Sequence, residues 1–405
     1  MRKKSVLYYF DKSLVEPIPR LHGTRQMELL ASQREIVVVS TEPGARSAAE
    51  QETFDATVAS LAEHGVRHEP ITRGGGRLAQ IARASLVLFR HVRAGRGDIL
   101  HCRSYMPSVA GWLVSAVTRA RFVFDMRGLF VDEYVFEGAL EEGTLRYRFA
   151  RLLERRLLRA AGAIVVVSER FRDHLLTRPD LSGFMGGKRI FVIPNRTEVD
   201  SFTGNERESI RAELGWSDAT IGIYSGSTAE WHRVDRTIEA AARLARLEPE
   251  ARFLFLVYPE REKAMAMAEA AGLGPERARF LTLAPAEVPA HLGAADFAFM
   301  LIEPHISKQV CAPIKFAEYL AAGLPVVAGG GLGDTEEWIR SGKLGVLVEQ
   351  RDPDGVAEAT SDMLSSDDFR RGLMKERCRT FAKERLDMAL TTREYEAVYE
   401  EIDRA

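Results

Sequence analysis

The chain has 405 residues, of which 46% are hydrophobic and 28% are charged, and its formal net charge is −2. This composition is typical of a globular protein of two or three domains. No apolar run approaches the roughly 20 residues that span a bilayer, and the three separate cysteines indicate neither a disulfide framework nor a zinc site.

The N-terminal residues do not have the pattern of a signal peptide. The apolar run after Met1 is too short, and no small-residue cleavage site follows it. We therefore expect a protein of the reducing cytoplasm.

The first half of the chain alternates short apolar runs with amphipathic segments. The runs that predict β-strands are Val6–Phe10, Glu35–Ser40, Ile99–His101, Phe122–Asp125, Ala163–Ser168 and Phe191–Pro194. Strands separated by helical segments indicate βαβ crossovers and a mainly parallel sheet.

The same alternation starts again in the second half, after a polar linker. Pro194–Phe202 and the charged run to Gly215 form a candidate hinge region. The strands predicted beyond it are Thr220–Tyr224, Arg252–Val257, Ala278–Leu283, Phe297–Ile302, Pro325–Ala328 and Gly345–Val348. The chain therefore has the pattern of two doubly wound α/β units.

Charge is divided unevenly between the two halves. Residues 1–200 hold 31 Lys and Arg against 23 Asp and Glu, whereas residues 201–405 hold 25 against 35. The positive half could lie near anionic lipid or an anionic acceptor, although a GC-rich genome would also enrich arginine.

Two segments of the first half are both basic and amphipathic, Leu145–Ala161 and Arg77–Arg96. Such helices can lie on anionic membranes, and more often they bury their Leu face in the core and keep arginine in water. Aromatic residues do not interleave with the charges, so nucleic-acid binding is not indicated.

Polar residues follow two predicted strands of the first half. Arg103 and Ser104 end one strand, before a helix predicted to begin at Pro107, and Asp125 and Arg127 end the next. The carboxyl ends of strands in open α/β sheets face a ligand crevice. Asp125 could act as a base or as an orienting acceptor, or it could form a buried pair with Arg127 that only fixes the loop.

In the second half, a loop from Tyr224 to Arg233 precedes a helix predicted at Val234–Leu247. Gly226 permits a tight turn and a close backbone approach, while Ser227, Thr228 and Arg233 could bind phosphate oxygens near the helix start. The alternative is a helix-capping loop with a solvated arginine.

Residues 313–328 join a short helix to a buried strand and carry the strongest signal of a ligand site. Pro313 tolerates the first turn, so the amides near Ile314 can face an anion, and Lys315 adds a full charge. Glu318 lies one turn further and can accept hydrogen bonds from the paired hydroxyls of a ribose or another sugar. The alternative is a solvated Lys–Glu ion pair on a surface helix.

This stretch also resembles a known family. The spacing Pro313-x-Lys315-x-x-Glu318-Tyr319, the Ala-Gly-x-Pro-Val-Val-Ala run at 322–328 and the Gly-rich turn that follows resemble the donor-binding segment of retaining glycosyltransferases of family 4, which have the GT-B fold. The linker residues Pro194, Asn195, Asp200 and Phe202 are similar to the segment that leaves the first domain in that family, with Arg196 in place of the usual glycine.

The resemblance implies two Rossmann-like domains that face each other across a cleft. The first, residues 1–197, would carry the acceptor, and the second, residues 198–385, would bind the donor. A C-terminal helix within about 386–405 would cross back to the first domain, with the stripe Tyr395, Val398, Tyr399 and Ile402 as packing.

The resemblance also implies the chemistry of retaining sugar transfer from a UDP or GDP sugar, without a metal or another cofactor. Lys315 and Arg233 would stabilise the leaving diphosphate, Glu318 would bind the ribose, and Thr282 lies where the family reads the base through main-chain atoms. On the acceptor side the candidates are Arg103, Ser104, Asp125 and Arg127, and Arg127 would bind an anionic acceptor or support the diphosphate. The remaining donor candidates are Gly23, Gly226, Ser227, Lys308, Pro313 and Ile314.

Two departures from the family pattern limit these inferences. The Gly-Gly doublet usual near the N-terminus is absent, so the loop Pro17–Arg25 with Gly23 could be a loop without a ligand role. The first glutamate of the family's Glu-x7-Glu pair falls on Val310. Lys308, Gln309 and the backbone amides of 311–314 would replace it, and the sugar is left open.

The sequence therefore predicts a cytoplasmic glycosyltransferase and leaves open whether it also has a peripheral contact with the inner face of the membrane. We expect a carbohydrate or a lipid-linked acceptor and a role in bacterial surface polysaccharide or glycoconjugate assembly. Two alternatives stay open, namely a GT-B sugar-nucleotide epimerase and a non-catalytic GT-B subunit that binds a partner enzyme.

Overall fold

The computed structural model describes residues 3–16 and 23–404 and divides into two compact units. The first contains the described residues up to Pro194 together with those from Ala389 onward, and the second is Asn195–Met388. Residues 17–22, which form most of the predicted glycine loop before Thr24, lie outside the described part of the chain.

The first unit is built on a seven-stranded parallel sheet in the order β3-β2-β1-β4-β5-β6-β7. Its strands are β1 (Val6–Phe10), β2 (Ile36–Glu42), β3 (Arg67–Thr72), β4 (Ile99–Arg103), β5 (Arg121–Asp125), β6 (Ala163–Val166) and β7 (Ile190–Val192). The described helices are α1 (Arg25–Ala31), α2 (Ala48–Glu63), α3 (Gly76–Arg93), α4 (Tyr105–Val117), α5 (Phe130–Phe136), α6 (Leu145–Ala160), α7 (Glu169–Thr177) and α8 (Ser182–Met185).

The second unit repeats the design with six parallel strands in the order β10-β9-β8-β11-β12-β13. They are β8 (Thr220–Ser227), β9 (Ala251–Tyr258), β10 (Ala278–Leu281), β11 (Phe297–Met300), β12 (Val326–Gly329) and β13 (Gly345–Val348). The helices are α9 (Arg207–Leu214), α10 (Val234–Leu247), α11 (Arg261–Ala270), α12 (Val288–Ala294), α13 (Ile306–Gln309), α14 (Ile314–Ala321), α15 (Thr335–Gly342), α16 (Pro353–Ser365), α17 (Asp367–Arg370) and α18 (Leu373–Arg385).

Both sheets are doubly wound, which confirms the predicted α/β class. The strand order reverses between β1 and β4 in the first sheet and between β8 and β11 in the second. In such sheets ligands bind outside the carboxyl ends of the strands at the reversal point. The carboxyl ends of β1 and β4 in the first unit and of β8 and β11 in the second lie at these reversal points, and β5 is the neighbour of β4.

The C-terminal helix α19 (Met388–Arg404) completes the core of the first unit. Tyr395, Val398, Tyr399 and Ile402 are buried against β1, β2, β4 and α1. Burial of each large apolar side chain stabilises by roughly 1.5–3 kcal/mol. Arg34 adds a bidentate contact to Glu396, with Nε at 2.7 Å from Oε2 and Nη2 at 3.0 Å from Oε1.

The linker after Pro194 is fixed to the end of α18. The amide of Thr197 donates to Leu386 O at 3.1 Å, and the amide of Met388 donates to Thr197 O at 2.9 Å. Arg196, which stands where a glycine was expected, is buried and donates from Nε to Arg385 O at 2.9 Å. The departure from the family pattern therefore has a structural function.

Two predictions of local secondary structure differ from the structure. Strand β3 was not predicted, because it is a half-exposed edge strand with charged residues and Pro70 in its sequence. Helix α4 begins at Tyr105, after Ser104, rather than at Pro107. No helix in the described ranges is long and apolar enough to cross a bilayer.

Candidate active site

Lys315 lies in the first turn of α14 and is the centre of the candidate site. Pro313 is the N-cap residue and provides no side-chain cap to the helix. The Lys315 side chain is turned inward, and the residue is 9% exposed. Its Nζ lies 3.3 Å from His232 Nδ1 and 4.5 Å from the centroid of the Tyr224 ring.

Gly226 at the end of β8 leaves room for this ammonium group. Its φ is 151°, and a Cβ at this position would lie 2.5 Å from Lys315 Nζ. Glycine is therefore required here both by the backbone conformation and by the close approach of the lysine.

Lys315 and Glu318 do not form the solvated ion pair considered from the sequence. Within the described part of the chain, no carboxylate oxygen lies within 4.0 Å of Lys315 Nζ, and the Glu318 carboxylate has no hydrogen-bond partner. Burial lowers the pKa of Lys315 to about 7, with the charge of Glu318 opposing this shift. Burial likewise raises the pKa of Glu318 to about 7, with Lys315 opposing.

The loop between β8 and α10 supplies an aromatic pair beside Lys315. The rings of Trp231 and His232 stack with centroids 3.6 Å apart, and Lys308 Nζ lies 3.8 Å from the Trp231 ring centroid. Burial and the charges of Lys315 and Lys308 lower the pKa of His232 to about 2. The imidazole is therefore neutral, Nδ1 accepts from Lys315, and Nε2 carries the proton.

Arg233 is the N-cap residue of α10, and its side chain is paired with carboxylates. It adopts φ 47°, its Nε lies 3.0 Å from Asp235 Oδ1, and its Nη1 lies 3.1 Å from Glu303 Oε2. Glu303 also pairs with Arg236 at 2.8 Å and with Arg351 at 2.9 Å. The structure thus orients the Arg233 side chain toward Glu303, while Lys308 and Lys315 lie at the aromatic pair.

Two other residues that were predicted to bind the donor substrate, Ser227 and Thr282, form hydrogen bonds within the protein. Ser227 Oγ accepts from the Ala229 amide at 3.0 Å, and Thr282 Oγ1 donates to Val257 O at 2.9 Å. Thr282 follows β10, the outermost strand of its side of the sheet. The structure therefore brings Gly226, Lys315 and Lys308 into one cluster through His232 and Trp231, whereas Thr282 contacts Val257, which pairs with Gly226 in the sheet.

In the first unit, Asp125 at the end of β5 is fully buried and lies in a polar network. His101 Nε2 lies 3.3 Å from Oδ2, Tyr395 donates its hydroxyl proton to Oδ2 at 3.1 Å, and Arg127 Nη1 lies 3.3 Å from Oδ1. Burial alone would raise the pKa of Asp125, but Arg127, the His101 hydrogen bond and Arg103 hold it well below its usual range.

The network continues through His101 to α19. Burial lowers the pKa of His101, so the ring is neutral, and Tyr399 O–H donates to its Nδ1 over 2.7 Å. A carboxylate with this many donors is a weak base. Of the roles considered for Asp125, these contacts favour an orienting acceptor that fixes Arg127 and α19.

The remaining candidates of the first unit surround this network. Arg103 Nη1 lies 3.3 Å from the Tyr8 hydroxyl and 3.8 Å from Asp125 Oδ2. Ser104 adopts φ 74°, and its amide donates to Asp125 O at 2.8 Å. Gly23 lies beside the rings of Tyr8 and Phe10, and a Cβ there would be 3.8 Å from each.

Several residues of these two clusters were not found from the sequence. Trp231 and Glu303 belong to no sequence motif that indicates a site. The aromatic stripe of α19 predicts only a packing role. A buried tyrosine normally finds a partner for its hydroxyl, which is the one signal that could have suggested a polar role for Tyr395 and Tyr399.

Comparisons with known proteins agree with the two-unit architecture. Residues 24–196 match the glycosyl transferase 4-like domain, and residues 219–366 match glycosyl transferases group 1. The chain therefore contains both glycosyl transferase domains, and its fold is that of the GT-B glycosyltransferases. The predicted family is thereby confirmed at this level, and the subgroup with Pro-x-Lys-x-x-Glu-Tyr stays a prediction.

The solved structures and curated relatives that this chain matches are distant in sequence. A glycosyltransferase from Rickettsia africae is 16% identical with a TM-score of 0.72 and covers 99% of both chains. Anabaena HepE, solved in complex with UDP and glucose, is 16% identical with a TM-score of 0.70 and covers 98% of this chain and 99% of its own.

A D-inositol 3-phosphate glycosyltransferase from Geodermatophilus obscurus is 27% identical over 67% of this chain and 60% of its own length. The chain spans 60% to 66% of the length of the curated relatives it matches.

Proposed function

We propose that this protein is a retaining glycosyltransferase that moves a sugar from a UDP or GDP sugar to a carbohydrate or lipid-linked acceptor. The observation that carries the proposal is Lys315, a buried lysine in the first turn of α14 with no carboxylate partner in the described part of the chain. A buried cation without a counter-ion is costly unless a ligand supplies the negative charge.

The donor diphosphate would lie at the start of α14. Lys315 and the first amides of this helix stabilise the negative charge that develops on the leaving diphosphate in the transition state. Neutral His232 accepts from Lys315 and so fixes the position of Nζ, and its Nε2–H can donate to an oxygen of the donor. Since two lysines flank the Trp231–His232 pair, we propose that transfer needs no metal and no other cofactor.

The nucleoside half of the donor would lie one helical turn further. Glu318 has a half-buried carboxylate with no partner in the described residues, and a ribose offers two hydroxyl donors in the geometry that a carboxylate accepts. Anabaena HepE was solved with UDP, which supports a nucleotide as the donor group. Because Val310 replaces a glutamate of the family pattern, the donor sugar is left open.

The acceptor would be bound by the first unit, where Arg127 is held by Asp125. The curated relatives act on D-inositol 3-phosphate according to their names, which supports an acceptor rich in hydroxyl groups. We propose a role in the assembly of bacterial surface polysaccharide or glycoconjugate on the cytoplasmic side of the membrane.

A donor screen tests this proposal. Purified protein is titrated with UDP, GDP and their sugars by calorimetry, and the donors that bind are incubated with and without candidate acceptors. We expect transfer to an acceptor with the donor's anomeric configuration retained, as read by NMR. Formation of an epimer without any acceptor would instead identify an epimerase, and failure of every nucleotide to raise the melting temperature would identify a non-catalytic subunit, since a ligand at about 100 times its Kd stabilises by about 2.7 kcal/mol.

A further inference from the structure

Exposed apolar side chains are concentrated on three helices of the first unit. Of the twelve large hydrophobic residues exposed in the described part of the chain, eight lie on α3, α4 and α6. These are Leu78, Leu86, Phe89, Leu113, Val117, Leu145, Phe149 and Leu152. Scattered single exposures are ordinary, whereas a concentration of this kind marks an interaction surface.

Helix α6 carries the most regular part of this surface. Leu145, Phe149 and Leu152 follow one another at i, i+4 and i+7 and are 83%, 66% and 49% exposed. The arginines at positions 148, 155, 156 and 159 share the same helical face and are exposed. Helix α6 thus buries Leu157 and Leu158 in the core, as one of the two sequence-based interpretations predicts, and also leaves a second apolar stripe in water.

Among the described residues, the arginines of this stripe form no close ion pairs, although the charge of Arg155 helps to lower the pKa of Asp180. In the described ranges, Arg148, Arg155, Arg156 and Arg159 form no ion pair, and Arg159 lies instead over the Phe184 ring at 4.8 Å. The only acidic residue of α6, Glu154, is buried and accepts from Tyr105 at 2.7 Å. Helices α3 and α4 contain no acidic residue.

The three helices present these features side by side. Helix α4 packs against both α3 and α6. Helix α3 exposes Leu78, Leu86 and Phe89, and Arg90 and Arg93 lie in its last turn. We call the exposed apolar and arginine side chains of these helices the α3/α4/α6 face.

We propose that the α3/α4/α6 face binds the surface of an anionic lipid bilayer. Apolar side chains alternating with unpaired arginines match the boundary between acyl chains and phosphate headgroups. A second copy of the chain docking through the same face would require acidic groups opposite the arginines, and α3, α4 and α6 offer none on this face. The unpaired positive charge therefore favours lipid.

A depression beside α6 provides a place for a headgroup. It has a volume of about 530 Å³, and its lining includes Arg148, Arg151, Arg155 and Arg178 together with the carboxylates of Asp132 and Asp180. Arg151 pairs with Asp132, and Arg178 pairs with Glu154 and Asp180. The charge for a phosphate therefore comes mainly from Arg148 and Arg155, which form no ion pair within 4.0 Å in the described residues. The acidic segment Glu137–Glu142 before α6 limits the face at that end.

This inference is independent of the donor site, which consists of residues of the second unit. The test is flotation of the full chain with phosphatidylcholine vesicles that contain or lack phosphatidylglycerol. We expect binding to the anionic vesicles only, and a loss of that binding at high salt. Each arginine near an anionic surface raises the membrane affinity about fivefold. The affinity should therefore fall about a hundredfold in the triple variant Arg148→Gln, Arg155→Gln, Arg156→Gln.

A second variant tests the apolar contribution. Phe149→Ser with Leu152→Ser should also reduce vesicle binding, and both sets change exposed side chains, so a far-UV spectrum and melting temperature like those of the wild type are expected. The matched control is Arg246→Gln with Leu247→Ser, because Leu247 is 50% exposed on α10 of the second unit. This control should bind vesicles as the wild type does.

Three results would overturn the proposal. They are absence of binding to anionic vesicles, equal binding to neutral vesicles, and wild-type binding by the triple arginine variant. A concentration-dependent dimer that the Phe149→Ser, Leu152→Ser variant abolishes would also overturn it, because the face would then serve a second copy of the chain.

Discussion

Lys315 Nζ and His232 Nδ1 lie 3.3 Å apart, and the imidazole accepts a hydrogen bond from the lysine. The two residues are 83 positions apart in the sequence and meet only because β8 and α14 direct their ends to the same place. Within the described residues no carboxylate pairs with the Lys315 ammonium group. An anionic ligand would therefore gain the most binding free energy at this position. The following predictions test this relationship and the network of the first unit.

Removal of the Lys315 charge should weaken nucleotide binding without weakening the fold. A hydrogen bond to a charged group contributes about 1.5–3 kcal/mol, so Lys315→Met should raise the Kd for UDP or GDP roughly 10- to 100-fold. The melting temperature should stay the same or rise, because the buried ammonium has no counter-ion. Calorimetry and thermal unfolding check this, with Lys263→Met on the exposed face of α11 as the control. Wild-type affinity in Lys315→Met would contradict the assignment.

Nucleotide affinity should fall as the pH rises through 7. The Lys315 pKa of about 7 means that the amine is charged below this pH and neutral above it in the free protein. Binding of a diphosphate favours the charged form, so above pH 7 the Kd should rise by up to about tenfold for each pH unit. Lys315→Arg stays charged and should show a flat profile above pH 7, whereas an equally steep profile in that variant would show that another group titrates.

The stability of the second unit should have a pH dependence with opposite signs on the two sides of pH 7. Between the ordinary Glu pKa and 7 the folded state binds more protons at Glu318, so its contribution to the free energy of unfolding falls as pH rises. Between 7 and the ordinary Lys pKa the unfolded state binds more protons at Lys315, so the contribution rises again. The difference between wild type and Lys315→Met, Glu318→Gln in urea unfolding should therefore pass through a minimum near pH 7.

The variant Glu318→Gln tests whether Glu318 binds the nucleoside half of the donor rather than its phosphates. The amide accepts less strongly than the carboxylate and cannot make the same charged hydrogen bonds to two ribose hydroxyls. We expect roughly a tenfold loss of UDP or GDP affinity and an unchanged affinity for pyrophosphate. If both ligands are weakened equally, Glu318 acts by orienting Lys315 rather than by contact with the sugar.

Asp125→Asn should destabilise the first unit strongly. The change removes the buried carboxylate that contacts both Arg103 and Arg127, and breaking a buried pair costs about 3–5 kcal/mol. Tyr395→Phe removes one hydrogen bond to Asp125 and should cost only about 1 kcal/mol. Denaturant unfolding measures both, with exposed Tyr258→Phe as the control. A stable Asp125→Asn protein that has lost turnover would instead show a catalytic role for the carboxylate.

Much of the architecture could be predicted because it depends on local patterns. All twelve predicted strands are present, since each is an apolar run between turn residues, and Val234–Leu247 was predicted with its observed bounds. Strand β3 was not found because half of its residues face water and its stability comes from pairing with β2. Helical periodicity also could not decide whether the Leu145–Leu152 stripe of α6 is buried, because both faces of that helix contain leucine.

Less of the candidate site than of the fold could be predicted from the sequence. Lys315, Glu318 and Gly226 could be selected from charge, helix position and conformational freedom. The contact of Trp231 with Lys308 and the position of Glu303 between three arginines join distant parts of the second unit. The hydroxyls of Tyr395 and Tyr399 reach across 270 and 298 positions to Asp125 and His101. No spacing rule encodes contacts of that range.

Because α19 belongs to the first unit, the order of synthesis differs from the order of the fold. The ribosome makes the seven strands of the first sheet, then residues 195–388, and only afterwards the helix that covers β1 and β4. At about 5–20 residues per second the delay is roughly 10 to 40 s. During that interval the Tyr395 hydroxyl cannot yet donate its hydrogen bond to Asp125. The apolar groove that α19 will fill is exposed to solvent, so chaperones can bind it and the chain can aggregate through it.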